Sequence, residues 1–298
     1  MSRVLAVTGI TGHSGRFFLS ELERHQFDGT VRCLVRESSK TDLLDQSPLK
    51  IEKLVGDNCD YDSLLKLTVG VDVVMHIFNI RHSLDVLRAA IENDVPRVVL
   101  VHTTGIYSKY KMASWEYKQI EAEIDKILKK HDIDVTILRP TMIFGDICDH
   151  NIHKFIKMVD RFPFMPEIDR GSGRIQPVNA RDLAKAYYKV CMTDHLPEVR
   201  YDLSGERSLT LHELFDLIGE GLEKRVHHVS CPMRLASLGA RCVKLLSFGK
   251  VDFVEKVLRM GEDRDYDHDA ATRDFGYEPE SFHVGLKREI EQYLKGKM

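Results

Sequence analysis

Apolar residues cluster in six short runs over the first part of the chain, at Val4–Val7, Thr30–Val35, Ile51–Val55, Val71–Ile77, Arg97–His102 and Val135–Leu138. These runs are continuous rather than alternating, the pattern of parallel strands covered on both faces. Helical stripes lie between them: Phe18, Leu19 and Leu22; Leu84, Leu87 and Ile91; Ile120, Ile124, Ile127 and Leu128. Strand–helix alternation of this kind predicts an α/β fold, a doubly wound parallel sheet with right-handed crossovers. After about residue 140 the rhythm changes. Leu211, Leu214, Phe215, Ile218 and Leu222 predict an amphipathic helix with Thr210 as its N-cap, and Leu286, Ile290 and Tyr293 mark a last helix. The remainder is expected to be mainly helical. The pattern divides the chain into residues 1–145 and a smaller domain, 146–298, with 175–195 returning to the first.

Composition changes this picture little. The 298 residues are 43% hydrophobic and 30% charged, as in an ordinary globular protein. A net charge of -3 offers no electrostatic case for nucleic acid as a partner. No charged-then-apolar leader and no apolar run long enough for a bilayer is visible, so no integral membrane segment is expected. Cys33, Cys59, Cys148, Cys191, Cys231 and Cys242 are scattered without a C-x-x-C pair, which fits reduced thiols and a cytoplasmic setting.

The strongest chemical signal is Thr8-Gly9-Ile10-Thr11-Gly12-His13-Ser14-Gly15, which follows the first strand and opens the first helix. A dinucleotide needs such a turn because its pyrophosphate must approach backbone N–H groups at a helix N-terminus. A glycine-rich turn kept only for tight packing is the alternative. The end of the second strand speaks to the ribose. An NAD site usually has a carboxylate there, but this chain has Arg36, followed by Ser38, Ser39 and Lys40. Arg36 could pair with a 2′-phosphate, with Arg16 contributing, so NADP(H) is expected ahead of NAD(H). A solvated charge cluster is the bland alternative.

With these residues in place, the chain resembles the extended and atypical branches of the short-chain dehydrogenase/reductase superfamily, the epimerase/dehydratase-like families, over nearly its whole length. The likeness rests on the ordered series Gly9/Gly12/Gly15, Gly56-Asp57-Asn58, Thr103-Thr104-Gly105-Ile106-Tyr107, Leu138-Arg139-Pro140-Thr141-Met142-Ile143-Phe144-Gly145, Gln176-Pro177-Val178 with Asp182, and Tyr201-Asp202-Leu203-Ser204-Gly205. It implies a Rossmann domain, adenine contacts at Asp57 and Asn58, and Pro140 and Thr141 beside the nicotinamide. It also implies a Tyr and a Lys one helical turn apart with a Ser or Thr nearby. Thr103 matches the Ser/Thr, and Lys118 matches the Lys by standing 21 residues before Arg139. The tyrosine position is then Ser114. Tyr117, Tyr107 (with Lys111 at i+4) and Tyr110 are the stand-ins.

Other constellations are weaker. Asp146, Asp149, His150 and His153 form a possible metal set, but no further spaced ligand completes it, and no metal is expected. The acids Glu262, Asp263, Asp265, Asp267 and Asp269 lack calcium-loop spacing and read as a solvated face, while His227-His228 has no assignable role. The segment 234–248 is apolar with sparse positive charge. It fits a membrane interface, or packing on the substrate cleft or a neighbouring subunit, so a homodimer is possible. The leading expectation is an NADP(H)-dependent oxidoreductase acting on a carbonyl or alcohol of a small organic molecule. Nucleotide-sugar epimerisation or dehydration is a second reading. It is weakened by Met142, where the resemblance implies Asn in many members, although Arg170, Arg174 and Arg207 could hold an anion. A cofactor-binding sensor or assembly protein without turnover is the third, favoured by Ser114.

Overall fold

The structure is a computed structural model that describes residues 3–246 and 254–297. Six strands appear where apolar runs predict them: β1 (Arg3–Thr8), β2 (Gly29–Val35), β3 (Lys50–Val55), β4 (Val73–His76), β5 (Arg97–Val101) and β6 (Asp134–Pro140). A seventh, Arg200–Leu203, joins β6. The order is Arg200–Leu203, β6, β5, β4, β1, β2, β3, and every pair is parallel. Strand order therefore reverses between β1 and β4, which opens a crevice at their carboxyl ends.

Helices cover both faces, as the continuous apolar strands require. On one face α3 (Tyr61–Thr68), α4 (Ser83–Glu92) and α5 (Lys111–Leu128) enclose Leu64, Leu67, Leu87, Val98, Ile124 and Ile137; the short α2 (Asp42–Asp45) follows β2 and sends Leu44 into the cluster on the other face. On the other, α1 (His13–Arg24) packs with the helix Ala180–Met192, Phe18 meeting Tyr187 edge-on at 6.1 Å. A third cluster gathers Phe144, Ile156, Met165, Leu214, Phe215, Ile218 and Leu286 from the C-terminal part.

That part is mainly helical, as expected, with short strands added. It contains the short strands Ile143–Phe144, Phe164–Ile168, Arg174–Ile175, Val178–Asn179, Leu209–Thr210 and His227–Cys231 besides the helices Ile152–Arg161, Leu211–Gly221, Met233–Leu246 and Phe282–Lys295. Each strand is too short or too polar to leave a periodic signal. Thr210 does cap its helix, accepting from the Glu213 N–H at 3.1 Å. In the basic segment, Leu235, Leu238 and Leu245 are exposed while Ala240 is buried; residues 247 and 248 lie outside the described residues. Among the described residues no helix is long and apolar enough to cross a membrane.

One buried carboxyl ties the two parts together. Glu289, on the last helix, is fully buried, and its Oε2 accepts from the Gly145 N–H at 3.2 Å. Its Oε1 and the buried Asp149 Oδ2 both lack a conventional donor, an arrangement that a proton on Glu289 resolves. Burial, then the neighbouring Asp149 carboxylate, pushes Glu289 up to about 10. The folded state therefore keeps a proton that the unfolded chain releases near pH 4–5, and stability falls as pH rises from there towards 10. Glu289→Gln should remove this component. Urea midpoints at pH 6 and pH 9 should show the variant gaining on the native protein at the higher pH; parallel changes would contradict the shared proton.

Candidate functional site

The glycine turn lies at the reversal point, between the end of β1 and the start of α1. Gly9 has φ +77, and a Cβ there would stand 2.9 Å from the Phe78 backbone, so the β1 and β4 ends can approach only through a glycine. A Cβ on Gly15 would stand 2.1 Å from the Gly9 carbonyl oxygen. Both glycines are required by packing. Gly12 is different: a Cβ there would meet one atom within 4 Å, the Gly9 oxygen at 3.1 Å, and otherwise face open space. Gly12 precedes the first turn of α1, whose leading N–H groups have no helical acceptor. Around the turn Thr11 is exposed, His13 partly buried and Ser14 buried.

The floor of the crevice is polar and buried. His76, which sequence reasoning did not single out, has Nδ1 2.7 Å from Thr8 Oγ1 and Nε2 2.9 Å from the Asn79 carbonyl oxygen. Burial lowers it to about 4, so the ring is neutral, with Nε2–H donating to Asn79 and Thr8 donating to Nδ1. At the β2 end, Arg36 is exposed, and Ser39 closes a turn on its backbone N–H and carbonyl. Among the described residues no carboxylate forms an ion pair with the Arg36 guanidinium. Asp57 is exposed and accepts from the Cys59 N–H at 2.9 Å, while Asn58 is buried with its Oδ1 unpartnered. The open side of Gly12 and the orphaned amide oxygen of Asn58 both fit a bound dinucleotide.

Arg16 does not join Arg36. Its guanidinium clamps Asp146 at 2.6 and 2.8 Å, and His13 Nε2 lies 3.3 Å from the same carboxylate. Burial raises Asp146, yet His13, the Cys148 N–H and Arg16 together hold it down at about 2. The suggested metal set is dispersed for the same reason. Asp146 serves Arg16, Asp149 Oδ1 accepts the N–H groups of Asn151 and His153, and His150 is exposed.

Of the catalytic candidates, Thr103 and Tyr117 meet at Gly105, where a Cβ would stand 3.3 Å from Thr103 Oγ1 and 3.6 Å from Tyr117 Cε2. Thr103 lines a cleft with Ser108, Met142, Glu262 and Arg264, and its Oγ1 accepts the Gly105 N–H at 3.0 Å. Pro140 ends β6 and is buried, its carbonyl oxygen accepting from Thr104 Oγ1 at 3.3 Å. Thr141 donates to the Gln176 carbonyl oxygen at 2.5 Å. Ser114 is buried and donates to the Tyr110 carbonyl oxygen at 3.1 Å; Lys118, one turn on, is exposed with no hydrogen bond or ion pair among the described residues. Tyr107 accepts from Arg139 at 2.6 Å and donates to Asp202 at 2.9 Å, while Lys111 reaches the Trp115 ring instead. Burial and the Asp202 carboxylate push the Tyr107 phenol up to about 12.

Tyr117 packs among the α4 and α5 side chains, under Arg81 and beside Gly105. One turn on from it stands Glu121, buried and bound to His102 at 3.0 Å, to Arg200 at 3.0 Å and bidentately to Arg139. Although burial raises Glu121, His102 and Arg139 hold it at about 2, a carboxylate at any ordinary pH. Helix α5 thus carries a lysine without its tyrosine at 114/118 and a tyrosine without its lysine at 117/121.

Residues 9–155 match the NAD(P)H-binding family. The chain is similar to the mitochondrial NADH dehydrogenase [ubiquinone] 1 alpha subcomplex subunit 9 of Dictyostelium discoideum, 25% identical over 73% of this chain and 64% of that protein. It is also similar to the mitochondrial NADH-ubiquinone oxidoreductase 40 kDa subunit of Neurospora crassa, 22% identical over 65% of this chain and 50% of that one. The chain thus spans about half to under two thirds of the length of these curated relatives. A solved UDP-N-acetylglucosamine 4-epimerase from Methanobrevibacter ruminantium shares the fold with a TM-score of 0.75, at 17% identity over 99% of both chains.

Two binding measurements test the cofactor geometry. Gly12→Val should abolish NADPH binding by calorimetry while the protein stays folded, because the added methyls enter the open side of the turn. Unchanged affinity would make the turn purely structural. Arg36→Ala should weaken NADP(H) about tenfold or more, the loss of a charge-assisted contact of roughly 1.5–3 kcal/mol, with little change for NAD(H). Equal native affinities for the two cofactors would refute the role of Arg36.

Proposed function

We propose, for a chain whose residues 9–155 are an NAD(P)H-binding domain of the short-chain dehydrogenase/reductase type, that it holds NADP(H) as a sensor or assembly protein without turnover by a Tyr–Lys pair. The observation that carries this reading is the incomplete pair on α5, with Ser114 preceding Lys118 and Glu121 following Tyr117. In the resembled enzymes the lysine lowers the tyrosine pKa so that the phenol can exchange a proton as hydride moves. Tyr117 has the carboxylate of Glu121 where such a lysine would stand, and the phenol of Tyr107 is committed to Arg139 and Asp202. Gly12, Arg36 and Asn58 would hold pyrophosphate, 2′-phosphate and adenine, with Lys118 free to reach the nicotinamide ribose. The bound nicotinamide would supply a hydride or report the redox state of the NADP pool.

The division at residues 1–145 and 146–298, with 175–195 packed back on α1, is part of the same proposal. So is a protein partner. The curated relatives are named as subunits of a larger assembly, and the exposed Leu235, Leu238 and Leu245 offer apolar surface for a neighbour.

An NADP(H)-dependent oxidoreductase is the second reading, supported by the cleft beside Thr103. Arg264 there has a buried Nε without a hydrogen-bond partner, and Arg259 Nε meets only Glu262 at 3.8 Å, an arrangement that would suit a polar, anionic substrate. In that case the Thr103 hydroxyl would orient the reacting oxygen. Purified protein should bind NADPH tightly, retain it through gel filtration and show no carbonyl-dependent oxidation of it across a broad substrate panel. A turnover that drops about 10²-fold or more in Thr103→Val, with NADPH affinity unchanged, would instead favour the enzyme.

A further inference from the structure

The C-terminal part gathers a second polar cluster, outside the cofactor crevice, from three elements distant in sequence. Glu167 lies on the strand Phe164–Ile168, His228 on the parallel strand His227–Cys231, and His212 in the first turn of the helix Leu211–Gly221. The helix start is pressed against the strand. A Cβ on Gly171 would stand 2.8 Å from the His212 nitrogen and 3.0 Å from the Glu167 carboxyl carbon, so only glycine leaves room for the approach.

The orientation of the two rings is unusual. His212 Nδ1 lies 3.0 Å and His228 Nδ1 2.5 Å from the oxygens of Glu167, which is 1% exposed. On the far side, both Nε2 atoms face Asp216, at 2.8 Å from His228 and 3.6 Å from His212. The ring centroids are 3.8 Å apart. Both rings thus present Nδ1 to one buried carboxylate, and a single divalent cation between the two Nδ1 atoms and Glu167 would be held by three donors at once. Behind His228, Asp216 Oδ1 lies within hydrogen-bonding distance of Nε2, and a carboxylate behind a ligating imidazole is the usual outer support of a metal site.

We propose that Glu167, His212 and His228 form a binding site for a divalent transition-metal ion of the zinc class, with Asp216 as its outer support. The three donor atoms lie within 4.8 Å of one another. Tetrahedral zinc holds nitrogen and oxygen donors at roughly 2.0–2.2 Å, about 3.4 Å from each other, so His228 and Glu167 would part by about 0.9 Å and the other pairs would adjust by about 1 Å. Two nitrogens and one oxygen suit zinc and its neighbours rather than calcium or magnesium. The half-exposed side of His212 leaves a fourth corner for water. The ion would pin two strands to a helix N-terminus, and it gives a role to His228, half of a pair that has none in the sequence pattern.

The full chain, stripped with EDTA, would be titrated with ZnCl2 by calorimetry and with CoCl2 by absorbance. One zinc per chain is expected, with Tm rising by several degrees on saturation. His212→Ala, at a half-exposed position, should bind at least tenfold more weakly and lose the Tm rise. Asp216→Asn should weaken zinc by ~10-fold or more while keeping one equivalent. The cobalt complex should show d–d bands without thiolate charge transfer. Native affinity in His212→Ala, a thiolate band from the free cysteines, or no zinc binding at micromolar concentration would overturn the site.

Discussion

With 2.1 Å between the Gly9 carbonyl oxygen and the place of a Cβ on Gly15, the first turn can exist only as backbone against backbone. That contact fixes the angle at which α1 leaves β1, and the matching approach of Gly9 to Phe78 fixes β1 against β4. Everything at the mouth of the sheet is referred to these two contacts. Arg16 reaches Asp146 across 130 residues because α1 points it there, and Gly12 faces open space because its neighbours hold the chain away. A turn so tightly specified needs no ligand to form. It therefore presents N–H groups already in place for a pyrophosphate, which lowers the ordering cost of binding.

A second constraint sets what the site can do chemically. Glu121 sits where a helix turn brings it below Tyr117, and three cationic or imidazole groups, His102, Arg139 and Arg200, close around it. Removing Arg139 would strip this buried carboxylate of its bidentate cation, and breaking a buried pair by losing one partner typically costs about 3–5 kcal/mol. The network is thus a structural keystone between β5, α5, β6 and the last strand of the sheet. Glu121 stands at i+4 from Tyr117, where the lysine of a Tyr–Lys pair would be, and it recruits Tyr107 through Arg139. On the proposed reading, cofactor binding and proton transfer are thereby separated in this fold.

The dinucleotide half was legible in the sequence because its signals are local. Continuous apolar runs marked six of seven strands, and the glycine spacing marked the turn between the first strand and helix. Arg200–Leu203 was missed because four residues with alternating burial carry little periodicity. The short strands after residue 140 were missed for the same reason. Side-chain pairings over long separations were out of reach. Arg16 looked available to a phosphate until Asp146 was placed beside it, and Glu167, His212 and His228 meet only after the second part has folded. Glu121 is a different case. Its i+4 spacing from Tyr117 is visible in the sequence, but its partners His102, Arg139 and Arg200 stand 18 to 79 residues away and meet it only in the fold.

The most direct test of this separation is a structure of the protein with NADPH bound. The pyrophosphate should lie over Gly12 at the start of α1, with the 2′-phosphate against Arg36. Beside nicotinamide C4, no tyrosine hydroxyl should stand within hydrogen-bonding reach of the position a carbonyl oxygen would take, and Glu121 should remain bound to Arg139. A phenol of Tyr117 or Tyr107 turned towards that position with Lys118 beside it would contradict the separation and restore a catalytic pair.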